Sequence, residues 1–513
     1  MKNFLKNLRV FGDCGENAKA EYDASKPADF ETALGATGFG KFNFLLFLIA
    51  FPTCWAVMFQ TTTMSFVFPA AQCDLNLTLE DKGLLNGVTF AGTVVSAFIW
   101  GFLFDTFGRR KLLIIGFFLD GLTVILSAVS QDIIFLMITK FLGGIIVIGP
   151  FAALTPYLSE LHVAKYRSRI PLVMGACFAI GGIYLPFIAS LILPLNFEQV
   201  LAENFVLHSW SLFLFVNAIP SLLGALLLYY LPESPKFLMS VGKHEEALEV
   251  FRRIYSLNSG FPPENYPIKE LVKEETRCSQ SSWLSKSCSQ LGPLFGKYLK
   301  LFLLVCFLNV LITTSFNTFR LWLPQLFQAI TDYKYYNNGT SASLCEMLSI
   351  LRRGNEPKEC FVNFENFDVY LNAMWVCLTS LTGYLIAGSL VNILGQNKLL
   401  AITSFLAGLC SIGIYFSPNS LLSTVFMAGF YSLCSIATNT TSLVVINLFP
   451  TSIRTTSLSL AFMFARIFSM VGNVIFPYLI NMGCEPPFVM LAVLVFTCSI
   501  LTLILPEQKN SLQ

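Results

Sequence analysis

The chain has 513 residues, 55 % of them hydrophobic and only 12 % charged, with 50 Phe and a mean hydropathy of +0.65. A soluble globule carries about twice that charged fraction, so the composition excludes one and calls for an all-α integral membrane protein crossing the bilayer several times. The net charge of +2 is no argument for a nucleic-acid partner, and none is expected; what matters here is how cations distribute between loops.

Residues 1–41 contain Lys2, Lys6, Arg9, Lys19 and Lys26 but no apolar core of a signal peptide, so they read as a cytosolic N-terminal tail. Twelve apolar runs follow, each near the length of about 20 residues that spans about 30 Å of hydrocarbon. They fall at 42–68, 84–105, 112–130, 133–156, 170–193, 210–231, 298–323, 367–394, 398–417, 419–446, 455–480 and 486–505. The expected organisation is a six-helix half over 42–231, a cytosolic central loop over 232–297, a second six-helix half over 298–505 and a cytosolic tail over 506–513. The central loop holds Lys236, Lys243, Arg252, Arg253, Lys269, Lys273, Arg277 and Lys286, whereas 194–209 has Glu198 and Glu203 and no Lys or Arg. This bias puts both termini in the cytosol. Within the central loop, Ala247, Leu248, Val250, Phe251 and Ile254 have helical spacing, so 243–257 predicts an amphipathic helix on the inner surface. The outer loops are 69–83 and 324–366; they carry glycosylation sequons at Asn76 and Asn338, and Cys345 and Cys360 share the second loop as a candidate disulfide.

The hinge Gly101-Phe-Leu-Phe-Asp105-Thr-Phe-Gly108-Arg109-Arg110-Lys111 joins spans 2 and 3, and it resembles the loop between helices 2 and 3 of major facilitator transporters. Residues 388–398 look like an eroded copy, with Asn392 where Asp105 stands and a single cation left. Pro156-Tyr-Leu-Ser-Glu160, followed by Arg167, and Asn447 to Thr456, which includes Arg454, hold matching places after spans 4 and 10, as a repeated six-helix half predicts. Asp105, Arg109, Arg110, Glu160, Arg167, Glu233 and Arg454 are expected either to act as inner-face gating charges, made in one transport state and broken in another, or to anchor helix ends. Pro232-Glu-Ser-Pro-Lys236 resembles a segment shared by sugar porters, organic ion transporters and the synaptic vesicle glycoprotein 2 group. Phe66 to Ala71, His208-Ser-Trp210 and Gly242 to Ala247 favour the last group. The resemblance implies a major facilitator fold of two six-helix halves. It departs from the group in a short loop between spans 7 and 8, and in Val57 and Gln60 at the places of two acids in span 1.

Each ionised group at the bilayer centre costs several kcal/mol unless paired or wet. Asp120 and Lys140 stand at similar depths in spans 3 and 4, roughly 12 to 15 Å from the outer ends, and are expected to form an intramembrane ion pair. Arg320 is expected to snorkel from the outer end of span 7. Arg466 has no such escape, lying about 15 Å along span 11 from Thr456. The organic ion transporters carry a basic residue at the matching place in anion carriers, which implies an anionic or neutral polar substrate. Gln60, Thr61, Asn309, Asn317, Trp375, Tyr384 and Asn439 complete the substrate-cavity candidates, each also able to serve as an interhelical hydrogen bond.

No nucleotide-binding loop, metal cluster or nucleophile with a base is present in the sequence, so no catalytic residue, metal or cofactor is assigned. The chain reads as a secondary carrier for a small organic solute, in the plasma membrane or an intracellular vesicle membrane, with the lipid bilayer and the solute as partners and no protein partner identified. The rival reading is a membrane protein that keeps the carrier fold for interaction or regulation.

Overall fold

Helices are the economical answer to a chain of apolar runs, because in hydrocarbon every backbone group has to be satisfied within its own segment. The computed structural model describes residues 27–167, 170–195, 197–202, 205–272, 294–349 and 367–506. Its twelve long helices are α1 (Lys41–Ala71), α2 (Leu79–Phe107), α3 (Arg109–Ala128), α4 (Ile133–Glu160), α5 (Ile170–Ile192), α6 (Ser209–Tyr229), α7 (Leu299–Tyr336), α8 (Asp368–Leu394), α9 (Gln396–Tyr415), α10 (Ser420–Leu448), α11 (Thr451–Met482) and α12 (Glu485–Thr502). Among the described residues eleven helices are long and apolar enough to cross a membrane, and α2 matches them with 29 residues. The start of α1, the segment between α6 and α7 and the end of α12 share one face of the bundle, here called the termini face.

Two local devices recur at corresponding places in α1–α6 and α7–α12. Gly108 and Gly395 turn the chain from α2 to α3 and from α8 to α9 with φ of +87° and +77°, a region that suits glycine. Asp132 caps α4 by accepting from the Phe135 N–H at 2.8 Å, and Asn419 caps α10 by accepting from the Leu422 N–H at 2.9 Å. The repeat is therefore visible in helix-end chemistry as well as in helix number.

At the far face, β1 (Glu198–Ala202) and β2 (Phe205–His208) form a short antiparallel ribbon between α5 and α6. Trp210, which follows it, donates to Asp74 at 2.7 Å, so two motifs far apart in sequence meet where α1 ends and α6 begins. Helix α7 overruns its expected end at 323 and continues to Tyr336. Pro324 does not stop it, and Gln325, Leu326, Phe327, Gln328, Ala329, Ile330 and Thr331 are all buried. The expected loop 324–366 thus begins as helix. Cys345 is bonded to Cys484, not to Cys360, and the two Cα atoms are 5.3 Å apart. The physical reason is that Leu344, Met347 and Leu348 bury themselves in the core of the second half, which carries Cys345 to the turn between α11 and α12. Cys360 lies outside the described residues. Asn76 and Asn338 are exposed at turns of this far face, with φ of +48° and +51°.

On the termini face the amphipathic helix runs His244–Ser259 and buries Ala247, Leu248, Phe251 and Ile254. Ala247, Leu248 and Phe251 share a core with Phe30, Ala33 and Leu34 of the short helix Phe30–Ala36, a segment that the sequence places in the cytosolic N-terminal tail, while Ile254 packs into the core of the first half. Asn258 fastens the arrangement: it accepts from the Phe42 N–H at 3.0 Å and donates to the Thr37 and Gly38 carbonyls at 3.2 Å.

Candidate substrate site and its gates

The hinge between α2 and α3 is held by charge. Arg109 pairs with Glu160 at the end of α4, and the other Glu160 oxygen accepts from Ser234 at 2.5 Å. Glu233 accepts from the Arg110 backbone N–H at 2.9 Å, while the Arg110 guanidinium reaches the Leu228 carbonyl at 3.4 Å and the Tyr229 carbonyl. Arg167 donates to the Ser159 and His162 carbonyls and pairs with Glu31 at 2.6 Å. Burial holds the imidazole of His162 below its usual pKa. The side chains of Asp105 and Arg454 lie outside the described residues. In the second half Gln396, just after the Gly395 hinge, accepts from Asn447 Nδ2 at 2.9 Å. The same place in the repeat is held by neutral amides, a pair that charge-centred reading passed over.

The described polar contacts between the two halves lie towards the far face. Lys82, 2 % exposed in the first turn of α2, donates to Gln72 at 2.8 Å and across the seam to Gln325 of α7 at 3.2 Å. Glu80 accepts from Asn481 of α11 at 2.8 Å. Where α1, α7 and α8 meet, Phe66, Pro69, Pro324, Gln328 and Tyr370 enclose only about 10 Å³, the space of roughly one water. Among the described residues these contacts hold the two halves together on the far side.

At mid-depth in the first half, Asp120 of α3 and Lys140 of α4 are both 0 % exposed. Their first partners differ from the direct pair expected. Lys140 donates to Gln60 Oε1 at 3.5 Å, Gln60 donates to Thr123 at 3.3 Å, and Asp120 Oδ2 accepts from Ser221 of α6 at 2.6 Å. The opposite charges still act on each other within one buried layer. Gly143 makes room for it, since a Cβ there would come within 1.5 Å of Gln60 Nε2. Thr61 turns its hydroxyl to the Met58 carbonyl at 3.0 Å on its own helix.

In the second half Arg466 stands in the middle of α11, 15 residues from Thr451 and 16 from Met482, about 23 Å from each end. Its side chain is half-buried and has no hydrogen-bond or ion-pair partner among the described residues. The groups that could have made it a scaffold are engaged elsewhere. Asn317 donates to Ser469 at 3.2 Å, Asn309 accepts from Thr313 at 3.1 Å, and Tyr384 bonds to Ser435 and accepts from Asn439 at 2.6 Å. Trp375 is 54 % exposed and sits two residues before Cys377, hence on the other side of α8.

Arg320 is the residue that sequence reasoning misplaced. Because α7 continues to Tyr336, Arg320 lies 16 residues, about 24 Å, from that end. Its neighbours Tyr431 of α10 and Cys377 of α8 are themselves about 16 and 14 Å inside their helices. The signal that could have found it is the polar stripe Asn309, Thr313, Asn317, Arg320 at helical spacing.

Two six-helix halves, a charged hinge and a sealed far side define a major facilitator fold. The profile described as "Sugar (and other) transporter" matches residues 56–339, and that of the "Major Facilitator Superfamily" matches residues 365–513. The chain belongs to the sugar (and other) transporter family within that superfamily. Synaptic vesicle glycoprotein 2A of Rattus norvegicus and of Homo sapiens are each 26 % identical over 349 residues, 63 % of this chain and 47 % of theirs. Synaptic vesicle glycoprotein 2C of Mus musculus is 30 % identical over 230 residues, 45 % of this chain and 32 % of its own. The match spans roughly half the length of these relatives or less. Among solved structures, a D-xylose–proton symporter shares the fold with a TM-score of 0.66 at 15 % identity, covering 91 % of this chain and 98 % of that one. The inward open xylose transporter of E. coli has the same TM-score and coverage at 16 % identity.

The buried layer yields a testable prediction. Removing one charge leaves the other uncompensated, a loss on the order of 3 to 5 kcal/mol for a close buried pair and less at this longer range. Asp120→Asn should therefore lower thermal stability in detergent, and Lys140→Gln in the same chain should restore part of it. Unchanged stability of both single variants would contradict the coupling.

Proposed function

We propose that this chain is a secondary carrier that moves a small organic solute, anionic or neutral polar, by alternating access, with both termini in the cytosol. The observation that carries this reading is Arg466, a guanidinium at the centre of α11 with no partner among the described residues. Deprotonation cannot relieve its burial, because arginine stays charged in proteins. Water or a substrate oxygen has to answer it, and a carboxylate offers bidentate bonds of roughly 1.5 to 3 kcal/mol, about a tenfold to hundredfold effect on affinity. The far-face seal supports a state whose site is reached from the termini face, and the Arg109–Glu160 clamp supports a gate that has to open and re-form. The membrane is proposed to be the plasma membrane or an intracellular vesicle membrane, in keeping with the synaptic vesicle relatives.

One observation favours a second reading, a membrane protein that keeps the fold without transporting. The Gln396–Asn447 contact lacks the charge that its counterpart in the first half carries. Uptake by the purified chain in liposomes, screened over a panel of organic anions, separates the two.

Epitope tags at both ends of intact cells should be invisible to antibody until permeabilisation; surface labelling of either would overturn the orientation. With an anion from the panel established as substrate, Arg466→Lys should retain weakened uptake, since the charge stays and the fork is lost. Arg466→Asp should abolish uptake or shift preference to cations while folded protein at the membrane is unchanged. Normal anion uptake by well-expressed Arg466→Asp would sink the ligand role.

A further inference from the structure

We propose that Arg320 forms a second anion subsite near Arg466, so that the chain takes rigid organic dianions whose two charges are separated by an apolar or aromatic body. This rests on the reading of Arg466 as a ligand and narrows the substrate class. Helices α7 and α11 both run from the termini face to the far face, and Asn317 meets Ser469 between them. Arg320 lies three residues beyond Asn317, and Arg466 three residues before Ser469. The two cations are therefore staggered by about six residues, roughly 9 Å along the helix axes.

Neither has an acid to answer it among the described residues. The ionisable neighbours of Arg320 are Tyr431 and Cys377, its Nε is buried without a hydrogen-bond partner, and its guanidinium lies 5.7 Å over the Phe316 ring. The described acids of α7, α8 and α12 are Asp332, Asp368 and Glu485, all at far-face ends. Two unpaired guanidiniums in one low-dielectric region repel each other and are stabilised together by a ligand with two negative charges. The Phe316 ring under the Arg320 guanidinium offers an aromatic surface at the same place. A flat apolar body would lie against this ring, with one carboxylate towards Arg320 and the other towards Arg466.

The test measures thermal unfolding of the purified full chain in detergent, titrated with terephthalate, benzoate or benzamide as dianion, monoanion and neutral probe. Half-saturation by terephthalate is expected at a concentration about tenfold or more below that of benzoate, the worth of one further charge-assisted contact. Arg320→Gln should remove that preference and leave benzoate binding as it was, while Arg466→Gln should weaken both anions. If Arg320→Gln does not fold, Arg320→Met, which fills the space without charge, decides in its place. Equal affinity for terephthalate and benzoate, or an equal loss for both on changing Arg320, would overturn the second subsite while leaving Arg466 as a ligand. Stabilisation by neither anion would overturn both.

Discussion

A charge inside hydrocarbon has to be answered, and the two halves of this chain answer it differently. In the first half the buried cation Lys140 shares a closed layer with Gln60, Thr123, Asp120 and Ser221, contributed by α1, α3, α4 and α6. Such a layer ties four helices to one another, with Asp120 Oδ1 left without a hydrogen-bond partner. In the second half Arg466 and Arg320 stand at membrane depth with no acid beside them among the described residues. Uncompensated buried charge costs stability, and a protein that retains it twice on neighbouring helices has a use for it. On the proposed reading, the first half is a frame and the second holds the cationic surface that would meet a solute.

The gates follow the same division. On the termini face, Gly108 turns the chain beneath Phe237 and Glu233, where a Cβ would come within 2.9 Å of the ring and 3.0 Å of the carboxylate. The hinge is thereby held against the segment that contributes Ser234 to Glu160. Its counterpart at Gly395 meets nothing within 4 Å of such a Cβ and is held by amides. On the far face each described crossing contact joins a charged group to a neutral amide, Lys82 to Gln325 and Glu80 to Asn481, and single hydrogen bonds of this kind contribute on the order of 1.5 to 3 kcal/mol each. A seal built from contacts of that size can open without unfolding either half.

Much of this was legible in the sequence. Hydropathy finds all twelve helices, the hinge and its eroded copy place the repeat, and Ala247, Leu248, Phe251 and Ile254 mark the buried face of the helix His244–Ser259. Three features were not legible, each for a physical reason. Gln325, Gln328 and Thr331 read as loop because they are polar, yet they are buried at the seam between halves, so α7 appeared to end early and Arg320 appeared shallow. Cys345 and Cys360 are neighbours in sequence, but the burial of Leu344 and Met347 decides which thiol Cys345 meets. The partners of Asp120 and Lys140 depend on which faces of α3, α4 and α6 converge, and depth along a helix carries no information on azimuth.

If the far-face seam is one state of a gate rather than a fixed weld, the distance across it takes more than one value. Spin labels at positions 81 and 482 sit one residue beyond the Glu80–Asn481 contact that joins α2 to α11. In liposomes, pulsed electron resonance should find a short distance matching the sealed form together with a longer one, and an organic-anion gradient should change their proportions. A single short distance under every gradient would contradict the account and leave a fold kept for another purpose.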